Sequence, residues 1–282
     1  MRMLAKADIR RRLQPLAPLP TGLTPRGALR APVRSVLFDV YGTLFISASG
    51  DIDAARNRMS GRSGLEILLR KHHIARSATE VLQDLYAAVE AAHAATKKSG
   101  VQHPEVDIVR IWQAVTGLDS RSRAKDFAVE FEIIANPVYP MPHLPVVLKY
   151  LVEKNVAMGI ISNAQFYTPL LFDWFFDAEP EGLGFRPDLL FFSYRFGRAK
   201  PSPVLFESAA RVLNQTGVTR PEVLYVGNDM LNDVYPAHAS GFQTGLFAGD
   251  RRSLRLREDE GRCRGLKPDV VITDLIQLID LV

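Results

Sequence analysis

The stretch VRSVLFDVYGTLF, residues 33–45, decides the fold. Its first part is β-rich and mostly apolar, without a period-two alternation, which marks a strand buried on both faces. The run ends at Asp39, and Tyr41-Gly42-Thr43 follows as a turn signal. Short apolar runs of the same kind recur at 156–162 (VAMGIIS), 189–193 (LLFFS), 222–227 (EVLYVG), 243–248 (QTGLFA) and 269–272 (DVVI). Helical patterns separate them at 144–154, 203–213 and 274–282. Strands alternating with helices predict βαβ units, hence an α/β fold with a Rossmann-like parallel sheet covered on both faces.

One stretch breaks the rhythm. Residues 50–139 contain no convincing strand and read as successive helices, starting one short loop after the first strand. The sequence therefore divides into an N-terminal arm (1–32), an α/β core in two pieces (33–48 and 140–282) and an inserted small α-helical cap (49–139). The Pro-rich NPVYPMPHLP, 136–145, reads as the hinge.

Composition narrows the function. The chain has 282 residues, 47% hydrophobic and 23% charged, ordinary values for a globular protein. No apolar run approaches the ~18 residues of a membrane span, and a membrane partner is not expected. The single cysteine, Cys263, excludes a disulfide framework and a zinc ribbon and is expected at the surface. The net charge is +4, but residues 1–34 hold eight basic residues and one acid, so the rest of the chain is slightly acidic. A nucleic-acid binder should carry its basic charge on the folded body, so that class is disfavoured. The arm lacks the apolar segment of a signal peptide, and a cytoplasmic protein is expected. Homo-oligomerisation stays open.

In open parallel sheets, ligands bind at the carboxyl ends of the strands. The first strand ends at Asp39, the 156–162 strand at Ser162-Asn163, and the 222–227 strand runs into Gly227-Asn228-Asp229 with Asp233 four residues after Asp229. Lys200 sits in the loop after the 189–193 strand. The topology thus gathers carboxylates, a hydroxyl and an ammonium at one sheet edge. A carboxylate can serve as nucleophile, and clustered carboxylates with carbonyls and waters suit Mg²⁺. Lys200 would neutralise charge, while Ser162 and nearby N–H groups would hold phosphate oxygens.

These residues, in this order, resemble the haloacid dehalogenase-like hydrolase superfamily: FDVYGTLF (38–45), IISNA (160–164), AKPSP (199–203) and VGNDMLND (226–233). The resemblance covers about residues 33–282 and implies a nucleophilic Asp39 with a covalent aspartyl intermediate. It implies Ser162, Asn163, Thr43 and Lys200 around a small-molecule substrate. It also implies Mg²⁺ held by Asp39, the Tyr41 carbonyl and Asp229, with Asp233 in support. The expected activity is Mg²⁺-dependent hydrolysis of a small phosphorylated metabolite. Two alternatives stand beside it, a 2-haloacid dehalogenase and a catalytically weak binding protein.

Three departures keep the alternatives open. Phosphatases of the superfamily usually carry a second Asp where this chain has Tyr41, and a tyrosine is a poor base at neutral pH. DVYGTLF is how the 2-haloacid dehalogenases look, yet their tyrosine six residues after the lysine is Phe206 here. In the fourth motif Asn228 stands directly after Gly227, where the usual pattern has Asp. Elsewhere, His72, His73, His93, His103 and His143 share no metal spacing and read as single cap or surface histidines. Arg56, Arg58 and Arg62 read as a solvated face or a substrate clamp, and Phe172, Trp174, Phe175 and Phe176 as core or a subunit contact.

Overall fold

The structure is a computed structural model that describes residues 6–49 and 59–282, with side chains described from residue 63 onward in the first cap helix. Arg56, Arg58 and the Arg62 side chain lie outside the described residues. Strand β2, Ser35–Phe38, is completely buried. It occupies an inner position because it pairs in parallel on both sides, with β5 (Ala157–Ser162) and with β7 (Val223–Gly227). β6 (Phe185–Phe192) extends the sheet beyond β5, and β8 (Gln243–Phe247) and β9 (Val270–Ile272) extend it beyond β7. The edge at β9 is covered by β1, Arg26–Gly27, which is antiparallel to its neighbour, giving the order β1-β9-β8-β7-β2-β5-β6 among the described residues. The arm thereby closes a row of backbone donors and acceptors that would otherwise invite pairing with another chain.

The sheet is packed on one side against Leu205, Phe206 and Leu213 of a helix spanning Val204–Gln215. On the other side it meets Leu144, Val147, Leu148 and Leu151 of a helix spanning Leu144–Glu153. Gly159 lies in β5 between the two neighbours, where a Cβ would meet Leu37 and Leu189 at 2.6 Å. Fully burying an aliphatic or aromatic side chain contributes roughly 1.5–3 kcal/mol, so the 33–45 run is held chiefly by its place in this core.

Among the described residues four helices lie between β3 (Phe45–Ser47) and β4 (Val138–Pro140): α2 (Met59–Lys71), α3 (Ala78–Lys98), α4 (Ile108–Thr116) and α5 (Arg121–Ala135). Their ends are written in the sequence: Ser77 and Glu80 form a capping box, Asp107 and Ser120 cap α4 and α5, and Gly117 ends α4 in the left-handed conformation. Trp112 fills their centre, with ring centroids 4.9 Å from Phe127 and 4.7 Å from Phe131. His72 is buried on Glu130, which also receives Lys71.

Three expectations are corrected. Val138–Pro140 forms a strand, β4, paired with β3, although no strand is evident in 50–139; its residues become a strand only because Phe45–Ser47 provides a partner. The C-terminal 274–282 pattern forms 3₁₀ turns at Leu275–Asp280 rather than an α-helix. Cys263 is buried, packed with Met230, Leu246 and Val271, rather than at the surface. Among the described residues no helix is long and apolar enough to cross a membrane. The arm begins with α1, Lys6–Arg12, whose Ile9 is buried in the core, while Lys6 and Arg10 pair with Asp173 and Asp177.

Candidate active site

The sheet topology carries the chemistry to one edge. Asp39 directly follows β2, and its N–H donates to the Val226 carbonyl of β7 at 2.9 Å, which fixes the residue across the strand ends. Lys200 reaches in from the loop after β6. Its Nζ donates to Asp39 Oδ1 at 2.7 Å, to Asp233 Oδ1 at 2.5 Å and to the Tyr225 hydroxyl at 3.1 Å. The lysine side chain is 3% exposed and that of Asp233 1%, whereas Asp39 keeps 11%. Among the described residues no hydrogen bond ends on Asp39 Oδ2, while Oδ1 is held by Lys200.

The electrostatics follow from burial and pairing. Burial works to lower the Lys200 pKa, but Asp233 and Asp39 outweigh it and the ammonium is held charged, above its ordinary value. Burial pushes the Asp233 carboxyl up to about 6, against the pull of Lys200 and with the help of the Asp39 and Asp229 charges. Tyr225 donates to the Ile161 carbonyl at 2.8 Å and lies 3.0 Å from Asp233. Sequence reasoning missed this tyrosine. Phe206, where the dehalogenases carry a tyrosine, packs its ring against Tyr225 at 5.0 Å, so a hydroxyl reaches the lysine from β7 instead.

Motif four is built around a close approach and a π turn. A Cβ on Gly227 would meet the Asp233 carboxyl group at 2.4 Å, so only glycine lets the strand end lie against that side chain. Met230–Val234 forms a π turn, a rare geometry that recurs at functional sites. Asn228 directly follows β7 and takes the position at the strand end. Its Oδ1 accepts from Thr43 Oγ1 at 3.0 Å and its Nδ2 donates to the Ser253 carbonyl at 2.6 Å. Asp229 turns elsewhere. Arg257 binds it bidentately, Nε to Oδ1 at 3.1 Å and Nη2 to Oδ2 at 2.7 Å. The same carboxylate caps the π turn through the N–H groups of Leu231 and Asn232 and accepts from Asn232 Nδ2. Burial alone would raise the Asp229 pKa, and Arg257 with these donors brings it below the ordinary value.

The remaining predicted residues lie in the same neighbourhood, with their polar atoms engaged. Ser162 is fully buried, its hydroxyl 3.4 Å from the Asn163 carbonyl. Asn163 bridges to the third motif, accepting from the Lys200 N–H at 2.6 Å and donating to the Lys200 carbonyl at 3.3 Å. Tyr41 has its hydroxyl 3.0 Å from Thr168 Oγ1. Burial, followed by the Glu132 charge, pushes that phenol well above its ordinary pKa, so it stays protonated and offers no base. Gly42, at φ +83°, brings the turn so close to the 250–257 loop that a Cβ would meet Ser253 Cβ at 2.4 Å.

The donor set does not fit a resident Mg²⁺. The ion is held by carboxylate and carbonyl oxygens, and the set expected here was Asp39, the Tyr41 carbonyl, Asp229 and Asp233. Asp229, the expected ligand, has both oxygens committed to Arg257 and to the π turn, and the strand-end position belongs to a neutral amide whose two ends are already bonded. Asp39 and Asp233 share one ammonium. Among the described residues no group of three or more His, Cys, Asp or Glu is placed to hold a metal ion.

With this geometry established, comparison with known proteins is direct. The haloacid dehalogenase-like hydrolase family matches residues 33–241. Searched against curated proteins, the sequence has no match. Among solved structures, the chain is similar to a 2-haloacid dehalogenase from Pseudomonas syringae pv. tomato DC3000, with TM-score 0.53, 19% identity, and 88% of this chain and 97% of that chain covered. It is similar to a HAD phosphatase from Thermococcus onnurineus, with TM-score 0.51, 17% identity, and 88% and 97% covered. It is also similar to a predicted phosphoglycolate phosphatase from Haemophilus somnus 129pt, with TM-score 0.50, 14% identity, and 89% and 98% covered. At these identities the likeness establishes the fold. The match over most of the chain, with the strand-end residues in the family's order, places it in the haloacid dehalogenase-like hydrolase family.

Proposed function

We propose that this hydrolase forms a covalent ester on Asp39 by displacement at carbon, on a small haloacid-type substrate, and works without a resident metal ion. The observation that carries this reading is the Asp229–Arg257 pair beside an Asn228 amide, which leaves the site short of a carboxylate for Mg²⁺. Asp39 Oδ2 attacks the carbon bearing the halogen, the C–O bond forms, and the halide leaves with the electron pair of the C–X bond. Water then adds to the Asp39 carboxyl carbon, one of its protons passes to the departing oxygen and the other to solvent, the alcohol product leaves, and the carboxylate is regenerated. Lys200 balances the charge on Asp39 at the start and end of the cycle and holds its Oδ1 still.

Charge supports the choice. Asp39, Asp229 and Asp233 face Lys200 and Arg257, so the cluster carries one formal negative charge in excess. A phosphate dianion approaching it without a metal brings two negative charges to the reacting centre, whereas a 2-haloacid brings one, on the carboxylate beside the reacting carbon, and is repelled less. A phosphomonoester is the second reading. Lys200 favours it, because an ammonium 2.7 Å from the nucleophile is placed to meet phosphoryl oxygens, but this requires Asp229 to leave Arg257.

The test is release of halide from 2-haloacids, and of phosphate from p-nitrophenyl phosphate, each with EDTA and with Mg²⁺. Halide release that survives EDTA and is lost in Asp39→Asn supports the proposal. Phosphate release that needs Mg²⁺ replaces it with the second reading.

A further inference from the structure

Residues beyond the family match reach back to its fourth motif. The loop after β8 lies along motif four: the Arg255 N–H donates to the Asn228 carbonyl and the Met230 N–H to the Arg255 carbonyl, both at 2.9 Å. Asn228 Nδ2 bonds the Ser253 carbonyl of the same loop, and the loop is packed under Gly42. These contacts fix where residue 257 stands. Arg257 itself adopts φ +54°, a left-handed conformation uncommon for a residue with a side chain. Such strain persists only where the surroundings impose it. Here they place a guanidinium in two-point contact with a carboxylate whose side chain is 9% exposed.

We propose that Arg257 is a built-in replacement for the divalent cation at this site: it neutralises Asp229 permanently and closes the motif-four carboxylate to metal. The inference rests on the reading that the site works without a resident metal and gives that reading its cause. It assigns Arg257 a positioning role: the guanidinium holds the Asp229 carboxylate out of reach of a metal ion. The guanidinium is suited to the task because it is planar, charged at every accessible pH and bidentate toward carboxylate. Without it, the cluster of Asp39, Asp229, Asp233 and Lys200 would carry two formal negative charges in excess, an attractive place for a divalent cation.

The test is Mn²⁺ binding, read by electron paramagnetic resonance and by calorimetry on the full chain without substrate. Wild type is expected to bind weakly. Arg257→Met frees Asp229 and should bind Mn²⁺ about tenfold or more tightly, a modest gain for removing one unit charge at contact distance. Arg257→Lys retains the charge and should stay near wild type, and the double variant Arg257→Met/Asp229→Asn should lose the gained binding. Circular dichroism of each variant confirms that it is folded, and a misfolded Arg257→Met is replaced by Arg257→Gln. Wild-type binding as tight as that of the methionine variant would overturn the proposal. A gain that persists in the double variant would overturn it too, because Asp229 would then not be the ligand. The metal-free reading is judged separately by halide release in EDTA, so a failed gain in Arg257→Met removes the role of Arg257 and leaves that reading standing.

Discussion

Replacing Lys200 by methionine probes the charge balance of the site most sharply. The ammonium is shared by Asp39 at 2.7 Å and Asp233 at 2.5 Å, and all three side chains are nearly closed to water. Methionine keeps much of the length and removes the charge, leaving two buried carboxylates side by side. Removing one partner of a buried ion pair typically costs about 3–5 kcal/mol, and that is the loss expected for Lys200→Met at about pH 8. The pH dependence has a definite sign. Asp233 is already raised, to about 6, above its unfolded value. A carboxyl with a raised folded pKa contributes stability that is fully present below the unfolded value, near 3.8, and is lost as pH climbs through the folded value. Without the lysine the folded value climbs further, so the variant loses more stability than wild type between about pH 5 and pH 8. The difference between the proteins therefore shrinks in acid, by about 1.4 kcal/mol for each unit by which the Asp233 pKa has risen. Urea unfolding followed by far-ultraviolet circular dichroism at both pH values measures it. A loss below about 1 kcal/mol that is the same at both pH values would refute the account of Lys200 as the group that holds the two carboxylates together.

Two further perturbations address neighbouring elements. Tyr41→Phe removes the hydroxyl that bonds Thr168 and should cost about 1 kcal/mol of stability, the worth of one hydrogen bond, while turnover falls less than about tenfold; a loss of 10²–10⁴ would mean that the phenol acts as acid or base. The α1 helix is held to Asp173 and Asp177 by Lys6 and Arg10. Those two basic residues hold Asp177 below its ordinary value, so this part of the docking is present above about pH 4 and weakens as pH falls through the lowered value. Because the pairs are exposed, salt should weaken them too. Proteolysis of the arm at rising ionic strength checks this, and a rate independent of salt would show that the ion pairs do not hold the helix.

What the sequence revealed of the site depended on how locally each residue is placed. Asp39, Ser162 and Gly227 sit at the ends of apolar runs, and a run that ends in a polar residue is visible without knowing what lies beside it. Lys200 came with its motif. Tyr225 looked like one more apolar residue of a buried strand; its hydroxyl matters only because Ile161, Lys200 and Asp233 come together around it. Arg257 was hidden for the same reason, since its partner lies 28 residues away on the other side of β8 and the loop that carries it has no periodicity. The pairing of Asp229 with Arg257 and its capping of the π turn could not be read from the spacing of Asp229 and Asp233. The β3–β4 pair was also illegible, as three-residue strands gain their identity from each other.

The central claim is that Asp39 is the nucleophile and that no metal is needed. A single-turnover reaction with excess enzyme, a 2-haloacid and EDTA in H₂¹⁸O tests it directly, with the peptide containing Asp39 analysed by mass spectrometry. Hydrolysis of an Asp39 ester predicts one heavy oxygen in the Asp39 carboxylate and none in the alcohol product. Heavy oxygen found in the product instead, with Asp39 unlabelled, would mean that water attacks the substrate itself and would contradict the account.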